Sequence, residues 1–255
     1  STFAVNYLPD FINWTMTYRR NSDIWQPYGR MIKRSSKYAL NYEEIWNMKH
    51  PRLPPAAFIA SNCQASNGRQ EIIAMLNKFG LQVDIWGRCG NRIPYCDGSE
   101  KNAEDCTRRL VMPYKFYAAF ENSNCDEYVT EKFFRSLSQM VVPIVLMRRI
   151  YEDIGIPGSS FIALSDFSSV RELADYVRKL AADKERYLKY HSWRESYEVI
   201  SANSEDYGFC ALCKKILFDK KRFAQGSYRP TKSYSNISSW YGTCHDDYTK
   251  NFPVS

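Results

Sequence analysis

Residues 114–132 read YKFYAAFENSNCDEYVTEK, and this stretch decides the fold. Its first half, residues 114–121, carries aromatic and apolar side chains on both faces, which predicts a strand covered on both sides of a sheet. The polar run that begins at Asn122 has the composition of a turn and a helix N-cap. From about Glu127 the apolar residues recur with helical spacing, so the stretch predicts a strand, a turn and a helix.

Four polar side chains of this stretch fall close together in the predicted unit, namely Asn122, Tyr128, Glu131 and Lys132. They lie at the carboxyl end of the strand or in the first turn of the helix, where open α/β sheets bind ligands. Free backbone N–H groups favour an anion there, and Lys132 adds a positive charge. Charged residues are also common in a first helical turn, so a solvated Glu–Lys pair without a ligand is the alternative.

The rest of the chain alternates between predicted strands and helices from residue 56 onward. The other predicted strands are 56–61, 82–86, 141–147 and 161–164, and the other predicted helices are 69–79 and 168–182, the last with Ser168 or Ser169 as cap. Repeated β-α-β units predict a parallel sheet with helices on both faces. The remaining predictions are a strand at 11–20, a linker at 41–55, a helical end at 183–200 and 207–217, and a polar tail after residue 219.

The composition is that of a soluble globular domain. The chain has 255 residues, 44% of them hydrophobic, and a net charge of +7. It contains no run of about 18 apolar residues, so no membrane span is predicted, and it begins at Ser1 without a signal peptide, which is interpreted as a fragment. The basic residues are spread along the chain rather than clustered, so attraction to an anionic small molecule fits as well as nucleic-acid binding does.

The eight cysteines and two glycosylation sequons together favour the secretory pathway and disulfides. The sequon asparagines are Asn13 and Asn236. The spacing of Cys210 and Cys213 also allows a zinc site or a redox pair. A tetrahedral zinc site needs two further ligands, and the candidates Cys244 and His245 are adjacent, so they could bind one ion together only under strain. Disulfides are therefore favoured. Candidate bridges are Cys96–Cys106 and Cys63–Cys125, although connectivity cannot be deduced from sequence.

The sequence FENSNCDEYVTEKFF, followed by VVPIVL, resembles the central motif of the α1,3/α1,4-fucosyltransferases, which are inverting enzymes that use GDP-fucose. The NSNC variant is most similar to the subset that fucosylates the core of N-glycans in invertebrates and plants. The resemblance extends over residues 13–217. It implies a GT-B-type α/β fold with a doubly wound, Rossmann-like GDP-fucose-binding domain at 51–218, a truncated acceptor-side domain and linker at 1–50, and a polar tail at 219–255. It also implies that Cys210 and Cys213 tie back to the acceptor-side domain.

The resemblance implies which residues hold the donor. Residues 11–29, with the sequence FINWTMTYRRNSDIWQPYG, are similar to the family segment that joins the two domains. This similarity implies that Tyr28 contacts the nucleotide. The alternative is that Tyr28 only packs against a turn. Residues 61–71, with the pattern SNCxxxxxRQE, match a second motif of the family. Without that match, Arg69 would be interpreted as a solvated arginine at the start of a helix. The implied diphosphate ligands are Ser61, Asn62 and Arg69, and the implied lining of the donor pocket is Tyr117, Asn122, Tyr128, Glu131 and Lys132.

The resemblance implies that the bond between fucose and GDP breaks through an oxocarbenium-like fucose. It also implies that Arg69 and Lys132 stabilise the negative charge on the leaving diphosphate. No DxD pair lies near these residues, since Asp246 and Asp247 fall in the predicted tail, so no metal is expected. The family's catalytic base falls upstream of Ser1, and none is assigned here. Met147 stands where the family usually has a glycine after the strand.

The expected acceptor is an N-glycan or another GlcNAc-containing glycan, and no nucleic-acid partner is expected. The resemblance implies a Golgi-lumen, type II membrane protein, held in the membrane only through a segment absent from this chain. A nucleotide-sugar- or glycan-binding module that has lost catalysis is the alternative from a different class.

Overall fold

The computed structural model describes residues 10–91, 103–201, 208–226 and 233–255. Within these ranges the N-terminal part forms short elements, β1 (Met16–Thr17), β2 (Ile24–Trp25), β3 (Gly29–Lys33) and α1 (Tyr42–Asn47). The strand predicted at 11–20 is confined to β1, which pairs in parallel with β2. The linker predicted at 41–55 contains α1, because Asn41 caps that helix and Ile45 is buried beneath it.

The next part of the chain builds the central sheet and the helices that cover it. These elements are β4 (Ala56–Ile59), α2 (Arg69–Lys78), β5 (Val83–Trp86), α3 (Ala103–Val111), β6 (Phe116–Ala118), α4 (Glu131–Ser138), β7 (Val142–Val145), α5 (Arg148–Glu152), β8 (Ile162–Ala163) and α6 (Val170–Ala182). Among the described residues, five strands pair in parallel in the order β5-β4-β6-β7-β8. The predicted parallel α/β sheet is therefore confirmed, and Ser169 caps α6 as expected.

The strand order reverses between β4 and β6. The chain leaves β4 for its outer neighbour β5 and then crosses back over β4 to reach β6 on the other side. Neighbouring connections leave these two strands in opposite directions, which opens a crevice at their carboxyl ends. The residues that follow β4 and β6 are therefore brought to one place.

Helix α4 begins later than the predicted residue 127. Glu127 has a φ of 61°, a left-handed conformation that cannot continue a right-handed helix. The side chain of Thr130 instead accepts a hydrogen bond from the Lys132 backbone N–H and caps the helix at Glu131. Of the four residues predicted on or near the apolar stripe, Val129, Phe133 and Leu137 are buried in the core, whereas Met140 lies beyond the end of the helix and is only partly buried.

The C-terminal part departs most from the sequence predictions. Its elements are α7 (Lys184–Lys189), β9 (Tyr197–Ser201), α8 (Phe209–Ala224), α9 (Ile237–Trp240) and α10 (Asp246–Lys250). The helical prediction for 183–200 is wrong at its end, because β9 pairs antiparallel with the distant β3. Part of the predicted polar tail is folded, since Thr249 and Phe252 are buried. None of the helices in the described ranges combines the length and the apolar character needed to cross a membrane.

A buried basic cluster lies where α1, α3, α4 and α7 meet. The Lys49 ammonium donates to the carbonyl of Met112 at 2.9 Å, and the Arg194 guanidinium donates to His191 Nδ1 at 3.2 Å and to the carbonyl of Leu137 at 2.6 Å. Burial, reinforced by Arg194, lowers the pKa of Lys49 to about 7. Burial and the nearby cations also hold the pKa of His191 well below its usual range.

The pKa of Lys49 is 10.5 in the unfolded chain and about 7 in the folded protein. Between these pH values the unfolded state binds more protons than the folded state, so the free energy of unfolding is expected to rise with pH above 7. Lys49→Met removes this proton difference, so the rise in stability between pH 7 and 9 should be smaller in the variant. Urea unfolding across that range measures both slopes, with the exposed Lys78→Met as the matched control. Equal slopes in the wild type and Lys49→Met would contradict this account.

Candidate functional site

A cavity of about 290 Å³ opens at the switch point, where β4 and β6 end. Its wall is built from the residues that follow β4, the first residue of α2, the motif turn after β6, and one face each of α3 and α4. Each of these segments reaches the cavity because parallel strands deliver their carboxyl ends to the same edge of the sheet.

Most of the residues singled out from the sequence line this cavity. They are Ser61, Asn62, Arg69, Tyr117, Asn122, Glu131 and Lys132. The structure thus brings together residues that lie on or follow two strands, β4 and β6, which are far apart in the chain. Their contact with a donor nucleotide stays a prediction.

Tyr28 and Tyr128 lie beside the cavity rather than in its wall. Their rings meet edge to face with centroids 6.4 Å apart, and Tyr18 packs on the other side of Tyr128 at 5.2 Å. Burial and the neighbouring Glu131 carboxylate raise the pKa of Tyr28. Tyr28 is 37% exposed, and its contact with a nucleotide stays a prediction.

The Lys132 ammonium is held by three oxygen atoms. Its Nζ lies 2.8 Å from Thr130 Oγ1, 3.1 Å from Glu121 Oε2 and 3.2 Å from Glu131 Oε1. Burial lowers the pKa of Lys132, but the two carboxylates outweigh that effect and leave the pKa raised. The amine is therefore charged at neutral pH and fixed in position before any ligand arrives.

Glu121 is the site residue that the sequence predictions missed. It is 4% exposed, and its carboxylate accepts hydrogen bonds from the Thr130 backbone N–H and hydroxyl, both at 2.7 Å. Burial raises the pKa of Glu121, and the nearby Lys132 ammonium and the Thr130 donors oppose that rise. An acidic residue at the end of an otherwise apolar strand was the available signal, because a buried carboxylate needs a partner.

Arg69 is buried rather than solvated, with 1% of its surface exposed. Its guanidinium donates to the Phe120 carbonyl at 2.7 Å and to the Asn62 carbonyl at 2.9 Å, so it joins the two strand ends at the switch point. Its Nε finds no hydrogen-bond partner within the described ranges. Arg69 therefore braces the site and contributes positive charge to the cavity wall, with two of its five N–H groups already engaged.

The motif turn is held in place by the C-terminal segment. The Asn124 backbone N–H donates to the Asp246 carboxylate at 2.7 Å, and the Asn124 side-chain amide donates to Thr249 Oγ1 at 2.6 Å. The amide of Asn67, which precedes α2, donates to Asn124 Oδ1 at 3.2 Å. The segment predicted as a tail thus supports the turn that carries the candidate ligands.

The predicted Cys63–Cys125 bridge is wrong. Cys63 pairs with Cys89, and Cys125 pairs with Cys244, which joins the motif turn to the C-terminal segment. Because Cys244 is used in this way, it cannot serve the zinc alternative with Cys210 and Cys213, which are both exposed on α8. Cys106 is disulfide-bonded, while Cys96 lies outside the described residues.

Replacing both Cys125 and Cys244 by serine is expected to destabilise the protein more than replacing both Cys63 and Cys89. The two bridges span sequence separations of 119 and 26. In the chain-entropy account the longer loop contributes about 1 kcal/mol more to the free energy of unfolding. Urea unfolding of the two double variants tests this, and equal losses would count against it.

Three remaining predictions concern residues away from the main cavity. Met147 is 8% exposed and packs behind the motif turn with Tyr151, rather than in the main cavity wall. The sequon residues Asn13 and Asn236 are exposed, and Asn236 caps α9; their glycosylation stays a prediction. No group of three or more potential metal ligands occurs among the residues that the structure describes.

A second cavity, of about 280 Å³, lies under the N-terminal segment. Its wall combines aromatic and charged side chains, including Tyr18, Trp25, Phe134 and Glu127.

An open parallel sheet whose switch-point cavity carries a buried arginine and a partly buried lysine has the architecture of a nucleotide-binding α/β protein. The family described as glycosyltransferase family 10 (fucosyltransferase), C-terminal, matches residues 49–240. The chain belongs to this family.

Curated relatives agree with this assignment. The chain is 39% identical over 238 residues to an α-(1,3)-fucosyltransferase, fut-6, of Caenorhabditis elegans, covering 92% of this chain and 58% of that protein. It is 36% identical over 250 residues to glycoprotein 3-α-L-fucosyltransferase A of Drosophila melanogaster, covering 96% and 46% respectively. The chain thus spans about half to three-fifths of the length of these relatives.

Among solved structures, an α1,3-fucosyltransferase crystallised with GDP-fucose is similar to the chain. The TM-score is 0.47 at 23% identity, covering 76% of this chain and 55% of the other.

Proposed function

We propose that the complete protein transfers L-fucose from GDP-fucose to a GlcNAc hydroxyl, forming an α1,3 linkage with inversion. The observation that carries the proposal is the meeting of Arg69 and Lys132 in one cavity at the switch point of the sheet. Two cations from separate strand ends fit a diphosphate, whose charge must be neutralised for tight binding. Family membership makes GDP-fucose the donor of choice.

The residues of the cavity suggest a division of labour. As the bond between fucose and GDP breaks, negative charge grows on the diphosphate, and the fixed Lys132 ammonium and Arg69 guanidinium stabilise it without rearranging. The Glu131 carboxylate, which is 42% exposed, accepts hydrogen bonds from sugar or ribose hydroxyls. Ser61, Asn62 and Asn122 supply polar contacts from the two strand ends, and Tyr28 and Tyr128 border the mouth of the cavity.

The acceptor hydroxyl attacks from the face opposite to the leaving GDP, which inverts the anomeric centre. A carboxylate must take the hydroxyl proton, and we place that base upstream of Ser1, in the acceptor-side domain of which residues 1–50 are the remnant. Residues 51–218 then hold the donor. The proposed acceptor is the core GlcNAc of an N-glycan, which the NSNC form of the motif favours. The name of the Drosophila relative, a glycoprotein 3-α-L-fucosyltransferase, supports a glycoprotein acceptor. The proposed location is the Golgi lumen, with a type II membrane anchor in the complete protein.

The experiment is a GDP-release assay of the full-length protein with GDP-fucose and a panel of acceptors. Turnover with N-glycan core acceptors, and less or none with Lewis-type antennae, supports the proposal. Release with antennae alone would reassign the acceptor. Tight GDP binding without turnover on any acceptor would instead support a nucleotide-sugar-binding module.

Turnover is expected to be unaffected by EDTA. The proposed stabilisation of the leaving diphosphate comes from Arg69 and Lys132, so no divalent cation is required to neutralise its charge. The assay compares initial rates with and without excess EDTA at saturating GDP-fucose. A loss of activity that manganese restores would show that the two side chains do not suffice.

A further inference from the structure

The short C-terminal helix α10 lies across two loops that border the main cavity. On one side it packs against Gly68, the residue before α2, since a Cβ placed on Gly68 would lie 3.2 Å from Lys250 Cγ. On the other side, the disulfide of Cys244 and a 2.8 Å hydrogen bond from the His245 backbone N–H to the Asn124 carbonyl join the start of α10 to the motif turn. The same helix therefore contacts the loop after β4 and the turn after β6.

The carboxylate of Asp246, the first residue of α10, binds one donor from each of these loops. Its Oδ1 accepts a hydrogen bond from the Asn124 backbone N–H at 2.7 Å, and its Oδ2 accepts one from the Ser66 hydroxyl. The Ser66 hydroxyl also lies 3.3 Å from the Ser123 hydroxyl of the motif turn. Because the two oxygens belong to one rigid group, both loops are held at a fixed separation.

The two loops supply different parts of the cavity wall. The loop after β4 contributes Ser61 and Asn62, and the motif turn contributes Asn122. The backbone pairing of β4 with β6 ends at Ala57 and Tyr117, so it does not extend to the loops. The distance between the loops is therefore set by contacts made beyond the end of the sheet.

Buried contacts hold the base of the loops, whereas Asp246 acts nearer the surface. The amide of the fully buried Asn67 donates to the Glu121 carbonyl at 3.0 Å and to Asn124 Oδ1 at 3.2 Å, and Arg69 joins the two strand ends as described above. Asp246 itself is only partly buried. Its removal should leave the protein folded while allowing the outer parts of the two loops to move.

We propose that Asp246 is a positioning residue for the transfer reaction, and that its bridge between Ser66 and Asn124 holds the two loops at the separation that the leaving diphosphate requires. This inference rests on the proposed function, which places the diphosphate in the cavity. Preorganised polar groups stabilise growing charge because they need not move during the reaction. Loops that must be drawn together in the transition state lose part of that stabilisation, so turnover falls while the ground-state complex still forms.

The test is steady-state kinetics of the full-length protein with GDP-fucose. Asp246→Ala should lower kcat about tenfold and leave the KM for GDP-fucose nearly unchanged, which is the signature of an interaction realised in the transition state. Asp246→Asn keeps an oxygen that accepts from Asn124 and gains an amide that donates to Ser66 Oγ, so it should restore most of kcat. Asp247→Asn is the matched control, since the Asp247 side chain is 88% exposed and pairs with Lys250, and its kinetics should be those of the wild type.

Ser66→Ala removes the same bridge from the other loop. It should lower kcat to a similar extent, and the double variant of Ser66 and Asp246 should be no slower than either single variant, because two changes that break one contact are not additive. Urea unfolding should show that all three variants are folded under the assay conditions.

The outcomes separate this inference from the proposed function. Wild-type turnover together with an unchanged kcat in Asp246→Ala would overturn the inference and leave the proposed function intact. Additive losses in the double variant, or an Asp246→Asn variant as slow as Asp246→Ala, would also overturn it, as would a raised KM with an unchanged kcat. A wild-type protein without turnover on any acceptor would overturn both.

Discussion

Lys132→Ala should weaken GDP-fucose binding by about 10- to 100-fold, because a hydrogen bond to a charged group is worth ~1.5–3 kcal/mol. The loss has two parts. The diphosphate loses a cation that is fixed by Thr130, Glu121 and Glu131 before the ligand binds. The two carboxylates are then left without their counterion and repel the incoming anion. Turnover should fall at least as far, since the negative charge on the leaving group grows during the reaction.

Two further variants sharpen this test. Lys132→Arg keeps the charge but replaces a compact ammonium with a larger planar group, so it should retain part of the affinity. Lys179→Ala removes an exposed lysine from α6 and should leave kinetics unchanged. Isothermal titration with GDP and steady-state kinetics with GDP-fucose measure both effects. Near wild-type constants for Lys132→Ala would remove this residue from the site.

Glu121→Ala is expected to be the most destabilising change in the site, lowering the free energy of unfolding by about 3–5 kcal/mol. The carboxylate is 4% exposed and accepts three hydrogen bonds, two from Thr130 and one from Lys132. Its removal leaves these donors unpaired in the interior and frees the Lys132 ammonium to move. Turnover should therefore fall even under conditions where the variant is folded.

Glu131→Ala is the matched control for this prediction. Glu131 pairs with the same lysine, but its side chain is 42% exposed, and pairs of that kind contribute about 0–1 kcal/mol. Urea unfolding at neutral pH should therefore separate the two variants clearly. Similar stability of Glu121→Ala and Glu131→Ala would show that the buried carboxylate does not organise the site.

Local patterns in the sequence were enough to predict the sheet and the outline of the site. Short apolar runs separated by helical stretches were enough to predict a parallel sheet, because each β-α-β unit is read from neighbouring residues. The turn after β6 stood out for the same reason. Asn62 and Arg69 were singled out by the resemblance to the fucosyltransferase motif, and the observed strand order places them with Lys132 at one cavity.

The features that were missed depend on contacts between distant parts of the chain. The strand β9 forms because it pairs with β3. The spacing of apolar residues within a segment cannot predict pairing with a strand so far away in the chain. The Cys125–Cys244 bridge and the bond from Asn124 to Thr249 fold the C-terminal segment over the motif turn, although that segment is polar and has little periodicity. Glu121 was passed over because its importance lies in burial, which only the fold reveals.

The most direct test of the account is a crystal structure of the protein with GDP bound. The account predicts that the diphosphate lies in the cavity at the ends of β4 and β6, with the Lys132 ammonium and the Arg69 guanidinium both within about 4 Å of its oxygens. A diphosphate bound elsewhere, with Lys132 still held by Glu121 and Arg69 still held only by the Phe120 and Asn62 carbonyls, would contradict it.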